Sequence, residues 1–300
     1  MRHALAPVVL TAALSGILAP AASSGQTARA SHAPPPDAAP LALTPAEYNH
    51  TVADLFGFPR DGDRWPARPA LADRISPRRE PSKGVFVAPP PPPAWPWRFP
   101  QEAGLEGFEG IAQGQAPSSY QVEELHLAAM HFASFALVSP TFFTCDGWMS
   151  LPAAEREACA WTSLARFARR AYRRPLDAGE RRRLEAFWRA NAAAGPLDEA
   201  VALTVAGILQ TPTFHFRIEP HRDRAGAASS PLSRWELASR LSYFLWDSMP
   251  DEALFAAAEA GGLDARAGIE AQARRMLEGP KARPHPRPLP HPRLRPPPTP

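Results

Sequence analysis

Proline is spread very unevenly along this chain, and its positions limit where the chain can fold. Of the 38 prolines in 300 residues, 17 lie in residues 34–100 and 10 in residues 280–300, whereas residues 101–279 contain 9. Proline has no backbone N–H and interrupts helix interiors and central strands. The sequence therefore predicts one globular body in the proline-poor part, flanked by two stretches of irregular chain.

A strong helix start lies in the first proline-rich stretch. The run Thr-Pro-Ala-Glu from Thr44 is a capping box with proline at the first helical position, and Gly57 is suited to end the helix. We expect a helix over residues 44–57, at the start of an N-terminal module that covers residues 43–117. The rest of that module has no convincing periodicity and is predicted to be proline-rich, irregular chain.

Aromatic residues follow a run of five prolines within that module. Residues 89–93 must form extended polyproline, because successive prolines allow little else. Trp95, Trp97 and Phe99 come directly afterwards. We expect these aromatic side chains to dock onto the globular body.

Helical periodicity continues almost without interruption through residues 118–279. Apolar residues recur at intervals of three and four, and capping boxes, Gly-Pro and Gly-Gly pairs separate the segments. The sequence therefore predicts an all-α fold, an array of about seven short helices. We divide this body into an Arg-rich module, residues 155–195, and a module of Trp- and Leu-rich helices, residues 200–279.

The first thirty residues have the order of a secretory signal peptide. Arg2 and His3 precede an apolar run that ends at Leu18, and small residues follow, which is the usual pattern of a cleaved leader. The apolar run is too short to span a bilayer. We expect residues 1–30 to be removed on export to the periplasm, the cell surface or the medium, and residues 31–42 to be a linker. An uncleaved anchor and a chance Ala-rich N-terminus are the alternatives.

The two ends of the chain account for its positive net charge of +3. Residues 281–300 contain five Lys and Arg and no acid, so residues 31–280 are acidic. This distribution argues against nucleic-acid binding by the body, and no later apolar run is long enough for an integral membrane span. Residues 280–300 have no apolar face, so we expect a disordered tail, either a Pro-x-x-Pro ligand or a gene-end artefact.

The two cysteines, Cys145 and Cys159, are fourteen residues apart. In an exported protein this favours a structural disulfide, which the loop-entropy model values at about 3 kcal/mol. Two free thiols or a redox pair are the alternatives. The spacing matches neither Cys-x-x-Cys nor the haem-attachment motif, and we expect this chain to bind no cofactor.

The Arg-rich module contains eight arginines in a stretch of 18 residues. Guanidinium groups suit acidic polysaccharide, phosphate or lipid headgroups, and Arg169, Arg170, Arg173 and Arg174 are neighbours on one helix, which makes them candidates for anion binding. The alternative is that some pair with carboxylates of the acidic body and the rest face solvent. The other four arginines are Arg166, Arg181, Arg182 and Arg183.

Two Glu-x-x-His pairs have the spacing of metal ligands on one side of a helix. A di-iron site of this type also needs glutamates from two other helices, and nothing marks them here. Glu47, which precedes His50, is already explained by the capping box. Glu123 and His126 remain weak metal-ligand candidates, and we expect no metal site. The sequence contains no zinc-protease, serine-hydrolase, phosphate-loop or dinucleotide motif.

Three segments of the chain resemble one exported family. LTPAEYNHTVADLFG at residues 43–57 is similar to domain of unknown function 1587, FARRAYRRPL at residues 167–176 to domain 1595, and LSRWELASRLSYFLWDSMPDEAL at residues 232–254 to domain 1592. Their order resembles large exported proteins of planctomycetes and myxobacteria, which continue with further helices. In this chain the proline-rich tail takes the place of those further helices, so the chain looks like a C-terminally truncated member of the family.

The resemblance implies export and a helical body but no established reaction and no catalytic residue. Some relatives carry c-type haem segments or carbohydrate-binding modules. We therefore favour a non-catalytic, scaffold-like component of an envelope or extracellular assembly. The alternatives are an accessory protein to c-type cytochromes, or an enzyme acting on polysaccharide with Glu236, Asp247 and Asp251 as weak catalytic candidates. A glycosidase needs two carboxyl groups about 5–10 Å apart across a groove.

The partners expected on these interpretations are other exported proteins or polysaccharide. The proteins would be c-type cytochromes or glycan-active proteins. The sequence indicates neither a substrate nor an oligomeric state.

Overall fold

Helix ends in this protein follow local sequence signals. In the computed structural model, the first helix starts with the predicted capping box: Thr44 Oγ1 accepts from the Glu47 N–H at 3.2 Å, and Glu47 Oε2 accepts from the Thr44 N–H at 2.9 Å. Gly57 ends it with a φ of 70°. A Cβ at this glycine would lie 2.7 Å from the Thr141 side chain, so both backbone angle and space require glycine.

The structure describes residues 39–60, 65–67, 69–75, 96–99, 119–219 and 232–282, all within the compact unit Pro35–Pro300. These ranges contain ten α-helices and two short strands: β1 (Ala39–Ala42), α1 (Pro45–Phe56), α2 (Leu71–Ile75), α3 (Ser119–Ala133), α4 (Ala153–Ala171), α5 (Ala178–Ala194), α6 (Leu197–Leu209), α7 (Pro212–His215), β2 (Phe216–Glu219), α8 (Arg234–Trp246), α9 (Glu252–Glu259) and α10 (Arg266–Glu278). Single 3-10 segments lie at Ser134–Val138 and Trp148–Ser150.

The all-α prediction is confirmed, with more helices than the predicted seven or so. The helices α2 and α7 have five and four residues, too few to show a helical period in sequence. The capping boxes predicted before α5 and α8 are both present. The last helix, α10, has Ala265 at its N-cap and therefore no side-chain cap.

A two-stranded antiparallel sheet corrects the prediction for residues 31–42. The last four of these residues form β1, which pairs with β2 in the register Ala39↔Glu219 to Ala42↔Phe216. The Leu43 N–H then donates to the His215 carbonyl at 2.8 Å. Ala-Pro-Leu-Ala has little β propensity, so pairing with β2, not local preference, makes this segment extended.

The main core surrounds α6, which contacts α3, α4 and α5. This helix is apolar on nearly all sides, as expected of a helix enclosed by others. A second, smaller core lies among α8, α9 and α10 and contains Ala238, Trp246, Leu254, Ala258, Leu263 and Met276. Trp235 packs against both cores, so the two are continuous at the start of α8.

The predicted disulfide between Cys145 and Cys159 is present, with the Cα atoms 6.2 Å apart. It connects the loop before α4 to the first half of that helix. Trp148 reinforces the connection, because its Nε1 donates to the Arg156 carbonyl at 2.9 Å and its ring stacks on Phe143 at 4.3 Å.

The predicted docking of aromatic residues after the proline run is confirmed for Trp97 and Phe99, which pack against the main core. Trp95 and the prolines 89–93 lie outside the described residues. The same holds for the predicted signal peptide, residues 1–30, and for the tail after residue 282. None of the helices in the described ranges is long and apolar enough to cross a membrane.

Candidate functional site

Asp54, near the C-terminal end of α1, accepts hydrogen bonds from the chain just after that helix and from two distant segments. Its Oδ2 lies 2.7 Å from Arg60 Nη2, 2.7 Å from Ser248 Oγ and 2.9 Å from Lys281 Nζ. We call Asp54, Arg60, Ser248 and Lys281 the Asp54 cluster. Ser248 is fully buried, so its hydroxyl needs such an acceptor. The cluster attaches the turn after α8 and the chain after α10 to α1.

Opposing effects act on the pKa of the Asp54 carboxyl group. Burial raises this pKa, while the positive charges of Arg60 and Lys281 lower it, and the net result lies below the ordinary value. Asp54 is therefore ionised at neutral pH. An ionised carboxylate with charged donors forms stronger hydrogen bonds than a neutral acceptor does.

Arg170 of α4 binds the same end of α1. Its two Nη atoms donate to the carbonyls of Asp54 and Leu55 at 2.8 and 2.9 Å, and its Nε lies 3.3 Å from Glu252 of α9. The last carbonyls of a helix have no intrahelical donor and carry partial negative charge. The guanidinium group thus stabilises the helix end and joins α1, α4 and α9. Burial lowers the pKa of Arg170, but an arginine remains charged.

Arg173 is the second residue after α4 and is 4% exposed. Its guanidinium donates to the carbonyls of Ala171, Thr213, Phe214 and Phe216 at 2.8–3.1 Å. These carbonyl dipoles replace the water that the buried charge has lost. The backbone of Arg173 has a φ of 59°, a strained conformation for a residue with a Cβ. The side-chain hydrogen bonds hold the residue there.

Tyr243 of α8 connects Arg173 to α1. Its hydroxyl shares a hydrogen bond of 2.8 Å with Thr51 Oγ1 and lies 3.5 Å from Arg173 Nη1. The guanidinium carbon of Arg217 is 4.5 Å from the centre of the Tyr243 ring, and Arg217 Nη2 is 3.0 Å from Glu47 Oε1. We call Glu47, Thr51, Arg173, Arg217 and Tyr243 the Arg173 cluster.

Both clusters hold helices in a fixed arrangement. Their groups are largely buried and donate to or accept from one another, and such networks make a packing geometry specific. A proton-transfer site instead needs a group with a pKa near the working pH that reaches a substrate. The two clusters draw on all three segments that carry the family resemblance: Glu47, Thr51 and Asp54 in the first, Arg173 in the second, and Tyr243 and Ser248 in the third.

Each of the four candidate anion-binding arginines has a partner within the chain. Besides the two already described, Arg169 pairs with Glu259 at 3.0 Å, and Arg174 makes two hydrogen bonds of 2.8 Å to Glu180. Anion binding by these residues stays a prediction, because a ligand would have to compete with these contacts. Three other arginines of the run are exposed: Arg181, Arg182 and Arg183.

The three candidate catalytic carboxylates have local structural roles. Glu236 accepts from the Ser233 N–H at 2.7 Å in the capping box of α8. Asp251 caps α9 and pairs with Arg275 Nη1 at 2.8 Å. Asp247 ends α8 with a φ of 52°. Catalysis by these residues stays a prediction.

The candidate metal ligands Glu123 and His126 lie one turn apart on α3. His126 Nδ1 is 2.8 Å from Oε1 of Gln210, the residue that follows α6. In the part of the chain that the structure describes, no group of three His, Cys, Asp or Glu residues is arranged to hold a metal ion.

Sequence reasoning missed Thr51, Asp54, Tyr243 and Ser248 as site residues. Their signal was the presence of polar groups among the apolar positions of α1, of α8 and of the turn that follows α8. A polar group on a buried helix face needs a partner, and this indicates a polar interface without naming the other side.

The fold and the two clusters define a helical protein whose segments are joined by buried polar groups. Comparison with known families adds that residues 159–219 match PSD5, a protein of unknown function (DUF1595), and residues 232–289 match PSD4, a protein of unknown function (DUF1592). The chain thus carries domains of unknown function, as the resemblance of the second and third segments predicts. The similarity of residues 43–57 to domain 1587 stays a prediction. No curated protein and no solved structure matches the chain.

Proposed function

We propose that this chain is a non-catalytic scaffold module of an exported assembly, and that its polar motif residues hold three helical segments in one arrangement. The observation that carries the proposal is the position of Tyr243. Its hydroxyl contacts Thr51 of the first segment and Arg173 of the second, while Tyr243 itself belongs to the third. Polar residues of the three segments that carry the family resemblance therefore bind one another.

This use of polar residues differs from that of an active site. Enzymes keep acids, bases or nucleophiles within reach of a bound substrate, at some expense of stability. Here the polar groups of the three segments stabilise helix ends and contacts between helices. A scaffold needs such a fixed geometry, because its binding surfaces must keep their relative positions.

Two features support placement outside the reducing cytosol. The Cys145–Cys159 disulfide is of the kind that persists in oxidising compartments. The leader-like order of residues 1–30 points the same way. The expected partners are other exported proteins, including c-type cytochromes or glycan-active proteins.

The test is recovery of partners from the envelope fraction of the source cells by tagged wild-type protein and by Y243F, identified by mass spectrometry. We expect a defined set of exported proteins with the wild type and a reduced set with Y243F, because the phenyl ring keeps the packing but removes the hydroxyl that joins the segments. A matched control is F244Y, which changes an exposed ring and should keep the full set. Recovery of c-type cytochromes would specify the assembly as one for electron transfer.

The competing enzymatic hypothesis predicts a different result. Wild-type protein incubated with envelope polysaccharide would release reducing ends, and D247N would abolish that release while its circular dichroism stayed native. We expect no release by either protein. Release that depends on Asp247, Asp251 or Glu236 would overturn the scaffold proposal.

A further inference from the structure

Residues 96–99 bind to α1 through their backbone. Asn49 of α1 is 4% exposed, and its Oδ1 accepts from the Trp97 N–H at 2.8 Å while its Nδ2 donates to the Trp97 carbonyl at 3.0 Å. Nδ2 also donates to the Pro45 carbonyl at 2.8 Å, which fixes the amide. A neighbouring β-strand offers the same donor and acceptor pair. Asn49 therefore recognises an extended backbone at this position, whatever its side chain.

Alternate side chains of the segment then pack against α1 and α3. The Trp97 ring lies 5.4 Å from the ring of His131 on α3, and the Phe99 ring meets the Tyr48 ring edge-on at 4.9 Å. Arg98 between them is exposed. This alternation is that of a bound strand, in which every second residue faces the receptor. The groove formed by Tyr48, Asn49 and His131 thus selects an aromatic-x-aromatic sequence.

The groove is not perfectly filled by this segment. The Tyr48 hydroxyl and the Trp97 Nε1 are buried and have no hydrogen-bond partner among the described residues. A cavity of about 50 Å³ lies beside Phe99, and Tyr48, Gln121 and His215 contribute to its lining. Buried polar groups without partners weaken the contact. The bound segment is therefore held less tightly than its backbone hydrogen bonds alone would allow.

Long connections lead to and from the four anchored residues. Twenty residues, 76–95, separate the segment from α2, and nineteen, 100–118, separate it from α3. A connection of twenty residues spans up to about 66 Å when extended. The length of the chain therefore allows residues 96–99 to reach the groove of a neighbouring molecule.

We propose that the groove of Tyr48, Asn49 and His131 is a peptide-binding site, and that a second copy of this chain supplies its ligand by exchanging residues 96–99. Each copy would fill the groove of the other with the same contacts, so exchange loses no hydrogen bond and is limited mainly by the entropy of association. The proposal goes beyond the scaffold function, because a scaffold holds its own helices together without exchanging a segment.

The first experiment measures binding of a labelled peptide, AWPWRFP, which reproduces residues 94–100. The receptor is the full chain with W97A and F99A, which removes the anchoring side chains of its own segment. We expect saturable binding by fluorescence anisotropy. Adding N49A should weaken binding about 30-fold, since two hydrogen bonds are lost. Adding N191A instead, at a half-buried asparagine of α5, should leave the affinity unchanged.

The second experiment starts from the wild-type chain and does not depend on the folding of the W97A/F99A variant. Two wild-type copies with different tags are mixed, incubated and separated by sequential affinity steps. We expect mixed dimers whose yield rises with concentration and falls strongly in N49A but not in N191A. Absence of mixed dimers at all concentrations overturns the proposal, as does failure of folded W97A/F99A to bind the peptide or binding that is indifferent to N49A. Loss of envelope partners by Y243F with exchange intact would separate this proposal from the scaffold function.

Discussion

The Asp54 cluster and the Arg173 cluster both attach α8 and its following turn to α1, but they bury opposite charges. In the first, a carboxylate is countered by two cations, one of which, Lys281, has a side chain that is 33% exposed. In the second, a guanidinium that is almost inaccessible is countered by backbone carbonyls. Ion pairs near the surface weaken in salt and acid, whereas carbonyls do not titrate. The same interface therefore contains one contact whose charges titrate and are screened by salt, and one in which the acceptors of the buried charge do not titrate.

The largest effect should come from removing the central cation of the Arg173 cluster. R173M keeps a long apolar side chain but leaves four buried carbonyls with one donor fewer each, and we expect a loss of about 4 kcal/mol in the free energy of unfolding. Urea denaturation followed by circular dichroism at pH 7 measures it. R182M, at an exposed arginine of α5, is the control and should stay within about 0.5 kcal/mol of wild type. Equal midpoints for the two variants would contradict the structural role of Arg173.

Acid should affect the surroundings of the Arg173 cluster first, because a histidine next to this cluster titrates before Asp54 does. Burial, followed by the positive charge of Arg173, lowers the pKa of His215 to about 4. As the pH falls from about 6.5 to 4, the unfolded chain takes up a proton that the folded chain refuses, so stability present above pH 6.5 is lost over this window. The full loss is about 3 kcal/mol, since one pKa unit corresponds to about 1.4 kcal/mol.

H215Q tests that assignment by removing the titrating ring. Its stability should change less between pH 6.5 and 4 than that of the wild type, in urea melts at half-unit intervals. His50, whose pKa is lowered by burial and then by Arg60, accounts for part of the slope that remains. Asp54 acts at lower pH, because its stabilisation is lost only as the pH falls through a pKa below the ordinary carboxyl value. An H215Q profile identical to that of the wild type would refute the histidine assignment.

Removing the charge of Asp54 should have a moderate effect. D54N keeps the size of the side chain but leaves Arg60 and Lys281 without a carboxylate, and we expect a loss of about 2 kcal/mol at low ionic strength. The loss should shrink in 1 M salt, because the exposed part of the cluster is screened. D264N removes a carboxylate from an exposed pair with Arg234 and should have little effect in either condition. A D54N defect that is independent of salt would mean that the cluster acts by packing alone.

The smallest effect should belong to the hydroxyl of Tyr243. Y243F and T51V each remove one partner of a buried hydrogen bond, at about 1 kcal/mol each. The double variant should lose less than the sum of the two, with a coupling energy of about 1 kcal/mol in a double-mutant cycle. Additive losses would show that these residues do not interact in solution.

Local signals predicted the elements of this fold better than they predicted its contacts. The capping boxes at Thr44, Asp177 and Ser233 depend on residues three positions apart, and a single sequence displays such patterns directly. The disulfide followed from there being two cysteines. The partners of Asp54 could not be predicted, because Ser248 lies 194 residues away and many buried serines would have satisfied the same requirement.

The arginine run shows the same limit. Its length made a common role in anion binding a reasonable hypothesis, yet neighbouring residues on α4 and just after it contact different parts of the molecule. Arg169 binds α9, Arg170 the end of α1 and Arg174 the start of α5. Charge density in a sequence does not indicate whether the charges face solvent or neighbouring helices, since that depends on what packs around the helix.

The separation between Asp54 and Ser248 also bears on the order in which the chain acquires structure. The first helix is made early in synthesis, but the groups that bind its C-terminal end belong to α4, the turn after α8 and the chain after α10. Contacts between residues so far apart form late, because a long loop must close before they contribute. Nascent chains that stop short of residue 248 should therefore leave α1 open to proteases, and protection of this helix would report completion of folding.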